Sequence, residues 1–222
     1  MDDVNKKVTV AAAWMVMLKM SMRGIGLVST IVLARLLTPS DFGIVAICMA
    51  FISFLDIVSQ LGFDTVLIQK KNADKYHYDT AWTYSVLLGF ISFLILFLFS
   101  DVIAGFYNDE RLSSVIKYTS IVFLLNGFIN VGVVDFRKNM TFNLEFRYHI
   151  IPKMTSFVFT LIMAFYLRNY WALIYGTLFW KFSILINSYL MSDFRPRLSL
   201  LKSKELFNFS KWLFFINILK FI

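Results

Sequence analysis

The stretch VAAAWMVMLKMSMRGIGLVSTIVL, Val10 to Leu33, decides the fold. It is mostly apolar, and its only charges are Lys19 and Arg23. A helix of about 20 such residues crosses the hydrocarbon core of a bilayer. The run continues past Ala13 to Leu37, too long for a signal-peptide core, so it reads as an uncleaved first crossing. Five more runs follow: Gly43–Phe63, Trp82–Phe99, Ser114–Val134, Ile150–Leu167 and Tyr170–Leu190. A seventh begins near Leu206 and is cut off at Ile222. Between them, Thr38-Pro39-Ser40-Asp41 is a turn in which Ser40 or Asp41 caps the second helix.

Composition agrees with this reading. The 222 residues are 59% hydrophobic and only 16% charged, with mean hydropathy +0.69. A soluble domain carries about 25% charged residues, and no soluble interior of this size hides so much apolar surface. Strict alternation is absent from the runs, which excludes a β-barrel. The expected fold class is all-α: a polytopic bundle of about six full crossings plus the start of a seventh. Residues 1–205 form one lobe and 206–222 a truncated helix.

The net charge of +8 would suggest nucleic acid in a soluble protein. Here the basic residues sit in the joints. The N-terminus and the even-numbered joints hold twelve Lys and Arg, among them Lys70, Lys75, Arg137, Arg195 and Lys202. The odd-numbered joints hold three, Arg35, Arg111 and Arg168. That bias places the N-terminus in the cytoplasm. The partner is the lipid bilayer, not nucleic acid, and the location is a cell membrane crossed many times.

Missing motifs narrow the function. There is no Walker A loop, so the chain does not itself hydrolyse ATP. The single cysteine, Cys48, makes no internal disulfide, and His77 and His149 lie too far apart in sequence for a zinc site. No cofactor is expected. No nucleophile–base set appears and the joints are too short for a catalytic domain, so the chain is not expected to be an enzyme. The sequons at Asn139 and Asn208 fall near the cytoplasmic side and are chance matches.

The informative residues are charges inside the runs. Lys19 and Arg23, at i and i+4, share a helix face continued by Met15, Gly26 and Thr30. A cation at mid-membrane costs about 2.5–3.5 kcal/mol on insertion scales, so that face turns to a watery cavity or a partner helix. It reads either as an anion site or as a structural pair with acids of the second run. Asp56 is the deepest acid there, a counter-ion for Arg23 or Lys19 or a site for a coupling cation or proton. Lys117 and Lys153 lie near run ends and snorkel; Lys181 lies about ten residues into its run. Asn126 and Asn130 share a face of the fourth run and suit helix–helix hydrogen bonds. Gly24 and Gly26 suit close packing or a bend.

The segment VSTIVLARLLTPSDFGIVAI, Val28 to Ile47, resembles the first-to-second helix junction of bacterial polysaccharide flippases. Asp56, then Leu61-Gly62-Phe63-Asp64 and Leu67-Ile68-Gln69, continues the likeness over about the first 80 residues. These are the O-antigen and exopolysaccharide exporters, within the multidrug/oligosaccharidyl-lipid/polysaccharide exporter superfamily; the colanic-acid-exporter-like branch is the nearest. The resemblance implies a transporter that moves undecaprenyl-pyrophosphate-linked oligosaccharide to the outer leaflet by alternating access between two lobes. It implies a cationic central cavity, to which Lys19, Arg23, Arg35 and Lys181 would contribute as substrate-binding residues. Family members have about twelve to fourteen helices, so this chain is expected to be the N-terminal lobe, completed by a C-terminal lobe or a second copy. The alternative expectations are a small-molecule or drug exporter, a membrane-embedded sugar transferase or polymerase, and an inactive fragment.

Overall fold

The computed structural model describes residues 2–59, 62–70 and 72–208, with backbone only at residues 2–8, 58 and 59. All regular secondary structure among the described residues is helical, with no strand. The order is α1 (Asp2–Leu36), α2 (Pro39–Ser59), α3 (Phe63–Gln69), α4 (Lys75–Tyr107), α5 (Arg111–Gly127), a 3-10 turn (Val131–Val134), α6 (Asp135–Lys138), α7 (Phe142–Leu167) and α8 (Trp171–Met191). Four of these, α1, α2, α4 and α7, are long and apolar enough to cross a membrane. A fifth span results if α5 and the segment Val131–Lys138, bent by 69° from it, count together. The 21-residue α8 has the length but not the hydropathy, because Lys181, Asn187 and Ser188 interrupt it. Residues 203–208 are helical, and the rest of the expected seventh run lies outside the described residues.

Two expected runs are broken. The second is interrupted at Gly62, whose φ of 71° suits glycine, before α3 begins. The fourth ends at Gly127, not Val134. Asn130 therefore is not on a helix face with Asn126. It is fully buried at the start of the 3-10 turn. Its side-chain oxygen accepts the Gly132 N–H (2.9 Å), its amide donates to Phe194 O (2.7 Å), and its own N–H donates to Ser188 Oγ (3.0 Å).

Small residues set the closest approaches. α4 and α5 meet where a Cβ on Gly89 would stand 2.5 Å from Phe123 O, and one on Gly127 2.8 Å from Ser85 O. Without a hydrophobic driving force between helices in lipid, such backbone contact is what van der Waals packing requires. α7 and α8 meet at Gly176, packed on Thr160, with Ser156 Oγ donating to Gly176 O (2.9 Å). Gly24 and Gly26 have open space where a Cβ would stand, so no close contact among the described residues uses them.

Pro152 lies inside α7. It has no N–H for the carbonyl four residues earlier, that of Tyr148. Asn187 of α8 supplies the missing donor, Nδ2 to Tyr148 O at 2.9 Å, so the neighbouring helix satisfies the freed carbonyl as lipid demands.

The recognised junction is tied at two points. Thr38 N–H and Oγ1 both donate to Asp41 Oδ2 (2.9 and 2.7 Å), capping α2. Tyr170 N–H donates to Asp41 Oδ1 (3.1 Å). One buried carboxylate thus fixes the α1–α2 joint to the α7–α8 turn. The cap is a Thr38/Asp41 pair, in which Ser40 plays no part.

At the opposite end the segment after α8 lies along the first turns of α4. Arg197 N–H donates to Asp79 Oδ1 (2.8 Å), Ser199 N–H to Thr83 Oγ1 (3.0 Å) and Lys202 N–H to Thr80 Oγ1 (3.3 Å). Leu206 closes it, fully buried among Phe63, Leu67, Tyr78 and Val134.

Candidate functional site: a charged seam through the helices

The sequence leads to two places, the α1 stripe and Lys181. Lys19 and Arg23 are exposed on α1, which is held to α7 by Trp14 on Phe146 (ring centroids 5.3 Å) and by Leu33 and Leu37 near Ala164. Among the described residues neither cation has a side-chain hydrogen bond or ion pair. Arg35 is exposed in the last turn of α1, also without a described partner. Among the described residues no ion pair joins Asp56 to Lys19 or Arg23. α2 packs on α5 and α5 on α8, which brings the α2 carboxylate toward α8 and not toward α1.

Lys181 is half-buried. Its ammonium stands 5.2 Å from the centroid of the Trp180 ring, and that of Lys153, from α7, stands 4.8 Å from the same ring. Two cations on two helices thus stand against one indole ring, each in a cation–π contact whose gain is opposed by their mutual repulsion. The Trp180 Nε1–H is buried with no partner. Lys153, expected only to snorkel, is part of this wall.

A second charged cluster lies nearer the start of α7. His149 Nε2 lies 3.9 Å from Glu145 Oε1, and Arg137 Nε donates to the same oxygen at 2.5 Å. The contacts join Arg137, Glu145 and His149 into one charged cluster between α6 and the first turns of α7. Glu145 is only 8% exposed, and its Oε2 has no partner. Sequence reading started the fifth run at Ile150 and left Glu145 and His149 in a joint. Their i, i+4 spacing was the available signal, and it is α7, beginning at Phe142, that puts them on one face.

Lys117, the other interior lysine, is neutralised by Asp101 (2.8 Å) and serves α4–α5 pairing. Among the described residues no group of three or more His, Cys, Asp and Glu side chains is placed to hold a metal ion.

A family model described as polysaccharide biosynthesis protein matches residues 32–222. The chain is similar to a teichuronic acid biosynthesis protein of Bacillus subtilis, 26% identical over 165 residues, 74% of this chain and 34% of the relative. It is similar to a lipopolysaccharide biosynthesis protein of Escherichia coli, 28% identical over 123 residues, 55% of this chain and 25% of the relative. It is also similar to a succinoglycan biosynthesis transport protein of Rhizobium meliloti, 22% identical over 192 residues, 86% of this chain and 39% of the relative. The chain spans between a quarter and two-fifths of the length of these relatives. No solved structure matches it.

Proposed function

Because the chain belongs to the polysaccharide biosynthesis protein family, we propose that it is the N-terminal lobe of a transporter for undecaprenyl-pyrophosphate-linked oligosaccharide. On this reading the lobe crosses the cytoplasmic membrane six times, with the N-terminus and even-numbered joints in the cytoplasm. It works by alternating access with a second lobe, supplied by a C-terminal segment or another copy, and catalyses no reaction of its own.

The observation that carries the reading is the wall of Lys153 and Lys181 on Trp180. Cations inside a membrane bundle are costly unless they serve a ligand or a pair, and Asp56 is a single acid set against two lysines. An anionic head group answers that excess. The relatives are named for chemically different polysaccharides, so what they would share is the anionic lipid carrier and not a sugar. Lys19 and Arg23, exposed and without described partners, would face the same cavity from α1, with Arg35 at its outer end. An exporter of cationic drugs is the weaker reading, since a cation site is built from carboxylates.

The test uses the complete protein in a strain that lacks its own flippase. The double substitution Lys19→Gln with Arg23→Gln, and separately Lys181→Gln, should each cut surface polysaccharide at least tenfold while lipid-linked precursor accumulates at the inner leaflet. Wild-type surface polysaccharide in both variants would remove the anion-site reading.

A further inference from the structure

We infer that the segment after α8, residues 194–204, is an interfacial strap: its leucines bed in the nearest leaflet and its cations bind anionic phospholipid headgroups. The inference uses only the membrane crossing of α4 and stands whatever cargo the protein carries. Depth comes first. The segment hydrogen-bonds to α4 at Asp79, Thr80 and Thr83. These residues straddle Ala81 and Trp82, where α4 passes from its polar first turns into its apolar run. From Asp79 to Thr83 a helix rises about 6 Å. The attached backbone is therefore held at the edge of the hydrocarbon, where headgroups begin.

The backbone supplies the second observation. Irregular chain tolerates the neighbourhood of lipid only where its polar groups find partners. Pro196 carries no N–H. The N–H groups of Arg197, Ser199 and Lys202 all donate to α4 side chains, at 2.8, 3.0 and 3.3 Å. Phe194 N–H donates to Ser192 Oγ (3.3 Å), Leu201 N–H to Ser199 Oγ (3.4 Å) and Ser203 N–H to Leu200 O (3.2 Å). These donors are turned inward or consumed locally, which leaves the outer face largely to side chains.

Those side chains are of two kinds. Leu198 and Leu201 are each 75% exposed and Leu200 58%, three outward leucines within four residues. Around them Arg195, Arg197 and Lys204 are exposed. Among the described residues the side chains of Arg197 and Lys204 have no ion pair or hydrogen bond. The acids at this end are mostly taken: Glu205 by Lys70 (2.5 Å) and Lys202 (2.9 Å), Asp74 by His77 (2.5 Å). Exposed Asp193, just before the strap, is the exception. Leucines flanked by unpaired cations are the pattern of an interfacial element, whose apolar side chains enter the acyl boundary while its cations meet phosphate. A protein partner fits less well, because the leucines lie at the depth of the lipid itself.

The test is power-saturation EPR of nitroxide labels on the complete protein in a Cys48→Ala background, in nanodiscs of phosphatidylcholine with or without phosphatidylglycerol. Leu198→Cys and Leu201→Cys carry the label in turn. Leu98→Cys, outward on α4, marks lipid, and Asn139→Cys, exposed after α6, marks water. Both strap labels should meet oxygen more than a neutral nickel chelate, with ratios between the two markers. Phosphatidylglycerol should raise the oxygen-to-nickel ratio at the strap by about twofold. The combined substitution Arg195→Gln, Arg197→Gln and Lys204→Gln should cancel that rise and leave the Leu98 position unchanged, which guards against misfolding. Strap labels that read as water, or that a covering protein segment shields from both reagents, overturn the inference. So does a ratio indifferent to phosphatidylglycerol. A label at the Leu98 position that reads as water would sink the membrane crossing of α4 itself, and the strap with it.

Discussion

The α4–α5 pair and α1 are both long apolar helices, yet they are built in opposite ways. α4 and α5 close backbone to backbone at Gly89 and Gly127, and behind that contact Thr119, Ser120 and Ser100 turn their hydroxyls back to their own helix carbonyls. α1 leans on α7 along one stripe and turns Met15, Met20, Leu27 and Ile31 outward together with Lys19 and Arg23. Its glycines meet nothing. The tight pair is a scaffold, while α1 presents a surface that the described part of the chain does not cover. Composition alone did not separate the two, because lipid-facing and partner-facing helices are equally apolar.

The difference is broken most sharply by putting the same side chain on both helices. Gly89→Leu drives a Cβ to within 2.5 Å of Phe123 O, a backbone atom that cannot step aside. Overpacking of this kind costs about 1–3 kcal/mol and more when backbone must move. The expected outcome is loss of monodisperse protein on size exclusion in mild detergent. Gly24→Leu, placed in open space, should elute and melt as wild type. A Gly89→Leu protein as stable as Gly24→Leu would mean the α4–α5 seam is not close-packed.

Next in size are the two side chains that stand in for backbone. Asp41 is 7% exposed and serves Thr38 and Tyr170 at once. Asp41→Ala removes a helix cap and orphans a backbone N–H, together about 1–3 kcal/mol. Asn187→Leu withdraws the donor for the Tyr148 carbonyl freed by Pro152, about 1–2 kcal/mol by the same argument. Thermal unfolding in detergent should rank the two in that order. A Pro152→Ala background should shrink the Asn187 effect, since the helix then satisfies Tyr148 itself.

These examples show what the sequence could carry. Crossings are legible because length and apolarity are set by the bilayer, and α1, α2, α4 and α7 follow directly. The break at Gly127 is not, because it depends on what packs across the chain: Gly132 must sit under Ser192 and Phe194, sixty residues away. Asn130 illustrates the cost of assuming a continuous helix. Read on a 3.6 period it paired with Asn126, whereas the chain turns before it and makes it a hub. Lys181 and Asp56 were legible singly as misplaced charges. The packing of α2 on α5 and of α5 on α8 was not, since it joins helices that are not sequence neighbours. Glu145, His149 and Trp180 stayed hidden for a similar reason: a polar residue near a run end looks solvated until a neighbouring helix covers it.

The smallest expected effect concerns the segment after α8, and it is read best by pH. Lys70, Lys202 and His77 surround Glu205, with Lys70 Nζ at 2.5 Å, and hold its carboxyl down to about 2. A carboxyl whose folded value lies below its free value stabilises the docked state at neutral pH. That contribution is present above pH 4.5, the ordinary value, and fades as pH falls toward 2. Because the group is exposed and screened, the segment should loosen locally while the bundle stays folded. Amide exchange at Arg197, Ser199 and Lys202 should therefore quicken between pH 4.5 and 2 by more than the intrinsic pH dependence of exchange, and α4 amides should not follow. Glu205→Gln should show the faster exchange already at pH 6. Asp79→Ala should quicken Arg197 at every pH, since it removes the acceptor itself and not the clamp. If Glu205→Gln leaves all three amides as slow as wild type, the backbone bonds to Asp79, Thr80 and Thr83 with Leu206 burial hold the segment alone, and the ion pairs around Glu205 are surface contacts of no consequence.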